Sequence, residues 1–222
     1  TRAHEAIQKG DWKDQIVPIE AWKYVKDKNG QWVKTKKTFD MDDGVRWPAT
    51  LENMAKLKSP FKQGGSVTAA NASQMTDGAA FTMIMSAGKA KELKLKPIAK
   101  LTHYAVAGNK PEVMGVGPRY AIPKVLKMAG LTLDDIDLFE INEAFASQAI
   151  YCCRELGIED RYWKGDINPN GGAIAIGHPL GCTGAKLTCQ LLHEMKRRKL
   201  KRGIVSMCIG GGMGAAGIFE ML

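Results

Sequence analysis

Residues 203–220, GIVSMCIGGGMGAAGIFE, contain two apolar segments on either side of a glycine-rich turn. The segments Gly203–Cys208 and Ala215–Glu220 predict two strands joined by that turn. Earlier in the chain, the pattern predicts two more strands and three helices, over Ile98–Val106, Pro118–Ala129, Ile136–Ile141, Glu143–Leu156 and Thr183–Arg198. This alternation predicts an α/β fold built from layers.

The residues before position 97 have a different character. Ile16–Trp22 and Gln31–Lys36 flank the turn sequence Asp27–Gly30, so they predict a β-hairpin. Apolar residues at helical spacing predict a short helix over Pro48–Lys58 and a longer one over Thr76–Leu93, which Pro97 ends. Four of the five tryptophans lie between positions 11 and 62 among many charges, which is typical of an elaborated surface region.

Composition limits the possible partners. The 222 residues carry a formal net charge of +9, which favours nucleic acid, acidic lipid headgroups or small molecules with several phosphates. No uninterrupted apolar run reaches the ~18 residues that a membrane helix needs. The five cysteines include an adjacent pair and no Cys-x-x-Cys spacing, so the pattern favours reduced thiols over a disulfide framework or a structural zinc site.

Three polar or glycine-rich clusters lie where a strand or tight turn ends: Asn142–Phe145, Gly177–Gly181 and Cys208–Gly212. Taken singly, His178 is more simply a structural histidine, and Cys208 is equally well a core thiol. Together, a thiol, an imidazole and free backbone N–H groups are the parts that acyl transfer requires.

Two other motifs have plain explanations. Gly212–Gly217 matches the G-x-G-x-x-G dinucleotide pattern, but the residues after it predict a strand rather than a helix. The basic run Lys196–Arg202 is a candidate for nucleic-acid binding, yet it closes a predicted helix, where cations suit the negative end of the dipole.

The clusters, in this order, resemble the signatures of the thiolase family. The matching residues are Asn142–Ala146, Gly171–Ala173, Gly177–Gly184 and Cys208–Gly214. The stretches 43–46, 55–58 and 114–118 are most similar to the peroxisomal type of 3-ketoacyl-CoA thiolase. The resemblance extends over nearly the whole chain.

The resemblance implies two similar βαβαβαββ halves in α-β-α-β-α layers, with a loop domain inserted in the first half. Residues 1–76 would be the later part of the CoA-binding loop domain, and 77–97 the last helix and strand of the N-terminal half. Residues 98–222 would be the complete C-terminal half. The acyl-accepting cysteine would lie upstream of this sequence, so the 222 residues alone are expected to show weak or no activity and poor solubility.

The implied reaction is thiolytic cleavage of a 3-ketoacyl-CoA by CoA, giving acetyl-CoA and a shortened acyl-CoA, as in fatty acid β-oxidation. His178 would activate thiols and, with a water held by Asn142, stabilise the thioester oxyanion. Cys208 would protonate the acetyl-CoA carbanion. The N–H of Gly210 would be half of a second oxyanion hole.

The resemblance also implies how CoA is bound. Arg46 would stack on the adenine, and the pantetheine and acyl path would be lined by Leu57, Phe61, Ser73, Met114 and Phe145. It implies no metal or redox cofactor, since CoA is a substrate, and assembly as a homodimer or a dimer of dimers. The implied compartment is a peroxisome or related organelle, with the mitochondrion as the alternative.

Three alternatives remain open from the sequence. The first is a thiolase-like protein that binds acyl-CoA without turnover, and the second is a biosynthetic thiolase that forms acetoacetyl-CoA. The third is a nucleic-acid binder that uses Lys196–Arg202, which is disfavoured because no aromatic residue interrupts that run.

Overall fold

The computed structural model describes residues 1–222. The α-helices are α1 (Arg2–Lys9), α2 (Leu51–Ala55), α3 (Ala87–Glu92), α4 (Gly117–Ala129), α5 (Ala146–Glu155), α6 (Glu159–Lys164), α7 (Ala173–Ile176) and α8 (Thr183–Arg198). The strands are β1 (Ile19–Lys26), β2 (Trp32–Phe39), β3 (Ala99–Gly108), β4 (Leu138–Ile141), β5 (Arg202–Ile209) and β6 (Met213–Met221). Two 3₁₀ helices cover Pro111–Val116 and Leu133–Asp135.

The main sheet has four strands in the order β3-β6-β5-β4. The pair β4–β5 is parallel, and β6 runs antiparallel to both β5 and β3. A single parallel bridge between Phe139 and Ile167 lies beyond β4. From β3 to β6 the chain therefore follows the expected βαβαβαββ order, with the third strand reduced to that bridge.

The sheet is covered on both faces, which explains why β4 and β5 are almost wholly buried. Ile204 of β5 packs with Ile122 of α4 and Cys153 of α5 in one cluster. The next residue, Val205, packs on the other face with Leu187 and other residues of α8. The period-2 alternation of a strand thus separates the two layers of helices.

The basic run at the end of α8 is largely a helix terminus, as the sequence predicts. Lys199 adopts a left-handed conformation and caps the helix. Arg197 and Arg198 form ion pairs with Glu194, which is buried in the preceding turn. No helix combines the length and hydropathy needed to cross a bilayer.

The predicted hairpin is present, with both strands shifted toward the C-terminus. Strand β1 pairs with β2 along eight residues on each side. The Asp27 carboxylate accepts hydrogen bonds from the backbone N–H groups of Asn29 and Gln31, at 2.8 and 2.9 Å, and Gly30 has a φ of 78°. This side-chain turn fixes the register.

The predicted helix over Thr76–Leu93 is wrong, because only α3 is helical in that range. Ser86 caps α3 by accepting a hydrogen bond from the Lys89 N–H. The preceding residues form neither helix nor strand, and Thr76–Ala80 lie along Pro179–Cys182. Between residues 77 and 97 the structure contains this one helix and no strand.

The predicted helix over Pro48–Lys58 is also shorter than expected. Only α2 forms, and the Thr50 hydroxyl caps it by accepting from the Asn53 N–H at 3.2 Å. The structure further contains elements that the sequence pattern does not predict, namely α1, α6, α7 and the two 3₁₀ helices. All except α1 are too short for a clear hydrophobic period, and α1 buries Ala3 and Ala6 on one face.

Helix α4 approaches β6 through two glycines. A Cβ placed on Gly214 would lie 2.2 Å from the carbonyl carbon of Gly117, and one on Gly117 would lie 2.4 Å from the Met213 oxygen. Such distances are impossible for a side chain, so the 3₁₀ helix and the start of α4 can lie against the sheet only because both residues are glycine.

We expect Gly214→Ala to lower the free energy of unfolding by about 1–3 kcal/mol, because the backbone of α4 must move away from β6. Urea denaturation followed by circular dichroism measures this. The matched control is Gly108→Ala in β3, where the added methyl meets nothing within 4 Å. An equal loss in both variants would contradict the close-approach explanation.

Candidate active site

The site lies at the carboxyl ends of the parallel strands β4 and β5. Ile141 is opposite Ser206, and the Asn142 N–H donates to the Ser206 carbonyl at 2.9 Å. Cys208 is two residues further along β5, so Asn142 and Cys208 both lie at this edge. Functional groups of α/β proteins gather at such an edge because rigid strands position the loops that follow them.

Asn142 and His178 are in direct contact. The Asn142 Nδ2 is 3.2 Å from His178 Nε2, and Asn142 is 1% exposed. On the other side of the ring, His178 Nδ1 is 2.6 Å from the hydroxyl oxygen of Thr183, at the start of α8. Both ring nitrogens of His178 therefore have defined partners from two different elements.

These partners assign the neutral tautomer of His178. The Thr183 hydroxyl donates its one proton to the Pro179 carbonyl at 3.1 Å, so its oxygen accepts from the imidazole Nδ1–H. The opposite nitrogen, Nε2, is then unprotonated and accepts from the Asn142 amide. An unprotonated Nε2 is the form of histidine that can take a proton from a thiol.

The Asn142 side-chain oxygen is buried and has no hydrogen-bond partner. A buried acceptor in this position carries a desolvation cost that a donor from a ligand or a water molecule would remove. Asn142 is thus able to hold one donor beside His178 while its amide nitrogen contacts the ring.

The loop before α8 is held tightly. Gly177 has a φ of 92°, and a Cβ there would lie 2.3 Å from the Thr76 hydroxyl oxygen. The His178 N–H donates to the Gln74 carbonyl at 3.0 Å. The Gln74 amide in turn donates to the carbonyls of Gly44 and Ala175, at 3.0 and 2.8 Å. These contacts fix the position from which the imidazole projects.

Burial lowers the pKa of His178, and the nearby ammonium group of Lys186 lowers it further. Both effects disfavour the imidazolium form, since one removes water and the other adds a like charge. The histidine is therefore neutral at neutral pH, in agreement with the tautomer set by its hydrogen bonds.

Cys208 is buried, and burial raises the pKa of its thiol. It lies on the same face of β5 as Ile204 and Ser206, which packs toward α4 and α5, and it makes no side-chain hydrogen bond to His178 or Asn142. The structure places Cys208 at the same strand edge as the pair but not in contact with it, and burial keeps its thiol protonated. A protonated thiol is a proton donor rather than a nucleophile.

The other four cysteines are also not activated as nucleophiles. Burial raises the pKa of Cys152, Cys182 and Cys189, and it raises that of Cys153 to about 12. A cysteine that attacks an acyl group needs a depressed pKa. None of the five thiols in the chain has that environment.

The predicted backbone donor, Gly210, begins the turn between β5 and β6 and is exposed. The space around the position of its missing side chain is open, with no atom within 4 Å. Gly211 and Gly212 have φ values of 89° and 92°, which only glycine adopts easily. The turn is therefore open to a ligand at the edge that carries Cys208.

The predicted CoA contacts fall into two groups. Ser73 and Phe145 are brought together, because the Ser73 N–H donates to the Ala144 carbonyl at 2.9 Å and Ala72 bridges to Phe145. Met114 is half-buried in the 3₁₀ helix whose Gly115 carbonyl contacts Cys152 of α5. The remaining three predicted contacts do not touch this cluster. They are exposed side chains in the loop region, namely Arg46, Leu57 and Phe61.

Sequence reasoning missed Asn168, which supports the site from behind. Its amide accepts from the Ile141 N–H and donates to the Ile141 carbonyl, both at 2.8 Å, and it also donates to Glu143 at 3.0 Å. Its φ of 45° places the side chain against the end of β4. The polar run before Gly171 is the one signal that pointed to such a role.

Sequence reasoning also missed two groups of site residues. Thr183 and Gln74 bind the histidine and its loop, as described above. The other group is a set of ionisable residues in the layer beside α8: Glu140, Glu143 and Lys186. No group of three or more His, Cys, Asp or Glu side chains is arranged to hold a metal ion.

We expect Thr183→Val to shift the His178 tautomer away from Nδ1–H, because valine cannot accept that proton. The ¹⁵N chemical shifts of the imidazole measure the tautomer populations. Thr183→Ser keeps the hydroxyl and should preserve the wild-type shifts. The assignment is wrong if valine and serine variants give the same spectrum.

The whole chain is similar to known proteins. The family model described as Thiolase, N-terminal domain matches residues 1–88, and Thiolase, C-terminal domain matches residues 95–221. The 3-ketoacyl-CoA thiolase of Bacillus subtilis is 52% identical over 99% of this chain and 55% of the relative. Peroxisomal 3-ketoacyl-CoA thiolase B of Rattus norvegicus is 52% identical over 99% of this chain and 50% of the relative.

A third relative, the acetyl-CoA acetyltransferase of Syntrophomonas wolfei, is 51% identical over 100% of this chain and 53% of the relative. Among solved structures, the Bacillus anthracis acetyl-CoA acetyltransferase has a TM-score of 0.86 at 42% identity and matches 100% of this chain and 53% of its own. The structure of human mitochondrial 3-ketoacyl-CoA thiolase in complex with CoA has a TM-score of 0.84 at 39% identity. The match covers 100% of this chain and 52% of the human chain.

The dimeric peroxisomal thiolase of Saccharomyces cerevisiae has a TM-score of 0.80 at 42% identity, over 100% of this chain and 52% of its own. The chain thus spans about half the length of the proteins that it matches. The expected thiolase-like α/β fold is confirmed by these structures. The two family models together cover nearly every residue, and the chain belongs to the thiolase family.

Proposed function

We propose that this chain is the C-terminal portion of a 3-ketoacyl-CoA thiolase, an acetyl-CoA C-acyltransferase that uses CoA to cleave 3-ketoacyl-CoA. The observation that carries the proposal is the contact between Asn142 and the unprotonated Nε2 of His178, at the same strand edge as the thiol of Cys208. A neutral base and a neutral thiol acid are the two proton carriers that this reaction needs.

His178 serves as the base. Its Nε2 takes the proton from an attacking thiol, and the resulting Nε2–H then donates a hydrogen bond to the oxyanion of the thioester. Asn142 offers its side-chain oxygen to a water molecule, which completes the set of donors at that oxyanion. Because burial keeps the ring neutral, the base is available at neutral pH.

Cys208 serves as the acid. When the bond between the α- and β-carbons of the 3-ketoacyl chain breaks, the electron pair moves to the α-carbon of the departing acetyl-CoA. The Cys208 thiol supplies the proton for the new C–H bond and becomes a thiolate. The exposed N–H of Gly210 lies on the adjoining turn and stabilises the enolate oxygen.

The acyl-accepting thiolate comes from chain outside residues 1–222. The raised pKa values of all five cysteines support this, as does the fact that the matched proteins are about twice as long. On this proposal, the 222 residues alone have little or no thiolytic activity. The assays below therefore use a polypeptide that also carries that cysteine.

CoA is the proposed ligand. The net charge of +9 favours its phosphates, and a solved relative of similar fold is described in complex with CoA. Arg46 binds the adenine, and the pantetheine and acyl path is lined by Leu57, Phe61, Ser73, Met114 and Phe145. No separate metal or redox cofactor takes part in this scheme.

The assembly and compartment follow the relatives. A homodimer or a dimer of dimers is supported by the dimeric yeast thiolase. A role in β-oxidation within a peroxisome or related organelle is supported by the rat relative, with the mitochondrion as the alternative. The Syntrophomonas relative supports a second candidate function, the formation of acetoacetyl-CoA from two acetyl groups.

We expect Cys208→Ala to slow the exchange of the acetyl-CoA methyl protons with D₂O by about 10²–10⁴-fold, because the acid/base for that carbon is lost. Mass spectrometry of the recovered acetyl-CoA measures the exchange. The control is Cys189→Ala, which removes a half-buried thiol of α8 outside the site. Equal exchange in the two variants would exclude the assigned role of Cys208.

A second assay follows acyl transfer through the consumption of 3-ketoacyl-CoA over a pH series. His178→Asn should reduce the rate by about 10²–10⁴-fold. In the wild type, the rate should persist to a pH below the ordinary pKa of histidine, because a lowered pKa keeps the base unprotonated there. Tight acyl-CoA binding without any turnover would support the binding-only alternative instead.

A further inference from the structure

Lys186 is a half-buried cation that the proposed reaction does not use. It lies three residues after Thr183 on α8, so both side chains project from the same face of the helix toward His178. Its ammonium nitrogen is 3.4 Å from the carbonyl oxygen of Gly177, the residue directly before the histidine. Lys186 therefore contacts the histidine loop through its backbone, whereas Asn142 contacts the imidazole ring.

Three carboxyl groups act electrostatically on this ammonium without forming an ion pair within 4 Å. Glu140 follows Leu138 on the face of β4 that packs against α8, is fully buried, and has no hydrogen-bond partner for either carboxyl oxygen. Asp42 comes from the loop before Arg46, and Glu143 follows Asn142. Burial raises the pKa of all three carboxyls, and the positive charge of Lys186 opposes that rise in each case.

Lys186 is costly to bury without such partners. Burial lowers its own pKa, while Asp42 and Glu140 are the largest of the charges that raise it again. Its ammonium group makes one hydrogen bond, to the Gly177 carbonyl. A half-buried cation of α8 that binds the loop presenting the base points to a role in holding that loop rather than in surface solubility.

We propose that Lys186 is a positioning residue for His178, which anchors the histidine loop through the Gly177 carbonyl and places a positive charge beside that loop. The role in catalysis rests on the proposed function, but the effect on the histidine does not. The groups that face the two residues are Asp42 from the loop, Glu140 and Glu143 from β4 and its end, Cys182 from α8, and the neutral Asn142 and Thr183.

The test is the titration of His178 by NMR in protein labelled with ¹⁵N-histidine. The chain has four histidines, so the His178 signal is assigned from its loss in His178→Asn. Lys186→Met should raise the pKa of His178, because a like charge is removed from beside the ring. Lys186→Arg keeps the charge and should restore a titration close to that of the wild type.

Lys196→Met is the matched control. Lys196 lies on the same helix but is exposed, and its charge lowers the pKa of His193 rather than that of His178. This variant should move the His193 titration upward and leave His178 unchanged. The His193 shift in this variant shows that the titration detects the loss of one neighbouring ammonium group.

Lys186→Gln removes the charge but keeps a hydrogen-bond donor, so it separates the two effects. It also replaces Lys186→Met as the test variant if the methionine variant does not fold. A raised pKa of His178 in a folded Lys186→Gln or Lys186→Met protein supports the proposal. An unchanged His178 titration in either folded variant overturns it. Neither outcome depends on turnover.

The kinetic consequence is read separately in the polypeptide that carries the acyl-accepting cysteine. Lys186→Met should lower kcat by about 10- to 100-fold with a smaller change in KM, because a displaced base impairs the reacting geometry more than it impairs binding. If the His178 titration shifts but no variant or wild-type protein cleaves 3-ketoacyl-CoA, the proposed function fails and the positioning role stands. If kcat is unchanged while the titration shifts, the loop tolerates the altered charge and a positioning role in catalysis is excluded.

Discussion

The parallel pairing of β4 with β5 is the interaction on which the site depends. It places Ile141 opposite Ser206, and the hydrogen bond from the Asn142 N–H to the Ser206 carbonyl extends the pairing by one step. A slip of one residue would turn every side chain of β4 to the other face. Glu140 would then enter the layer of α4 and α5, and Asn142 would leave His178, so register and chemistry are specified together.

Burial then determines the protonation states at this edge. It lowers the pKa of His178 and raises that of Cys208, so both groups are neutral. An ion pair between a thiolate and an imidazolium, which activates cysteine nucleophiles, is disfavoured by the same burial. The site is therefore suited to moving protons, and the covalent step needs a thiol in a different environment.

The sequence predicts the elements whose hydrophobic pattern is long, such as α4, α8 and the strands β5 and β6. It fails at Thr76–Leu93, where Phe81 and Ile84 have helical spacing yet are exposed on an extended segment. There, Gln74 and the loop of His178 hold the backbone, and no local pattern records such a distant contact. His178 and Cys208 stood out by their glycine neighbours. The partners of Asn168 lie 25 or more residues away, and those of Thr183 and Lys186 are set by the folded loop before α8 rather than by a sequence pattern.

Gln74 explains how the loop region and the histidine loop are connected. Its amide donates to carbonyls of Gly44 and of α7, while its own carbonyl accepts from the His178 N–H. Asp42 and Lys186 add an electrostatic contact between the same two segments. Gln74 therefore couples the position of residues 42–46 to that of the loop of His178 through hydrogen bonds to both segments.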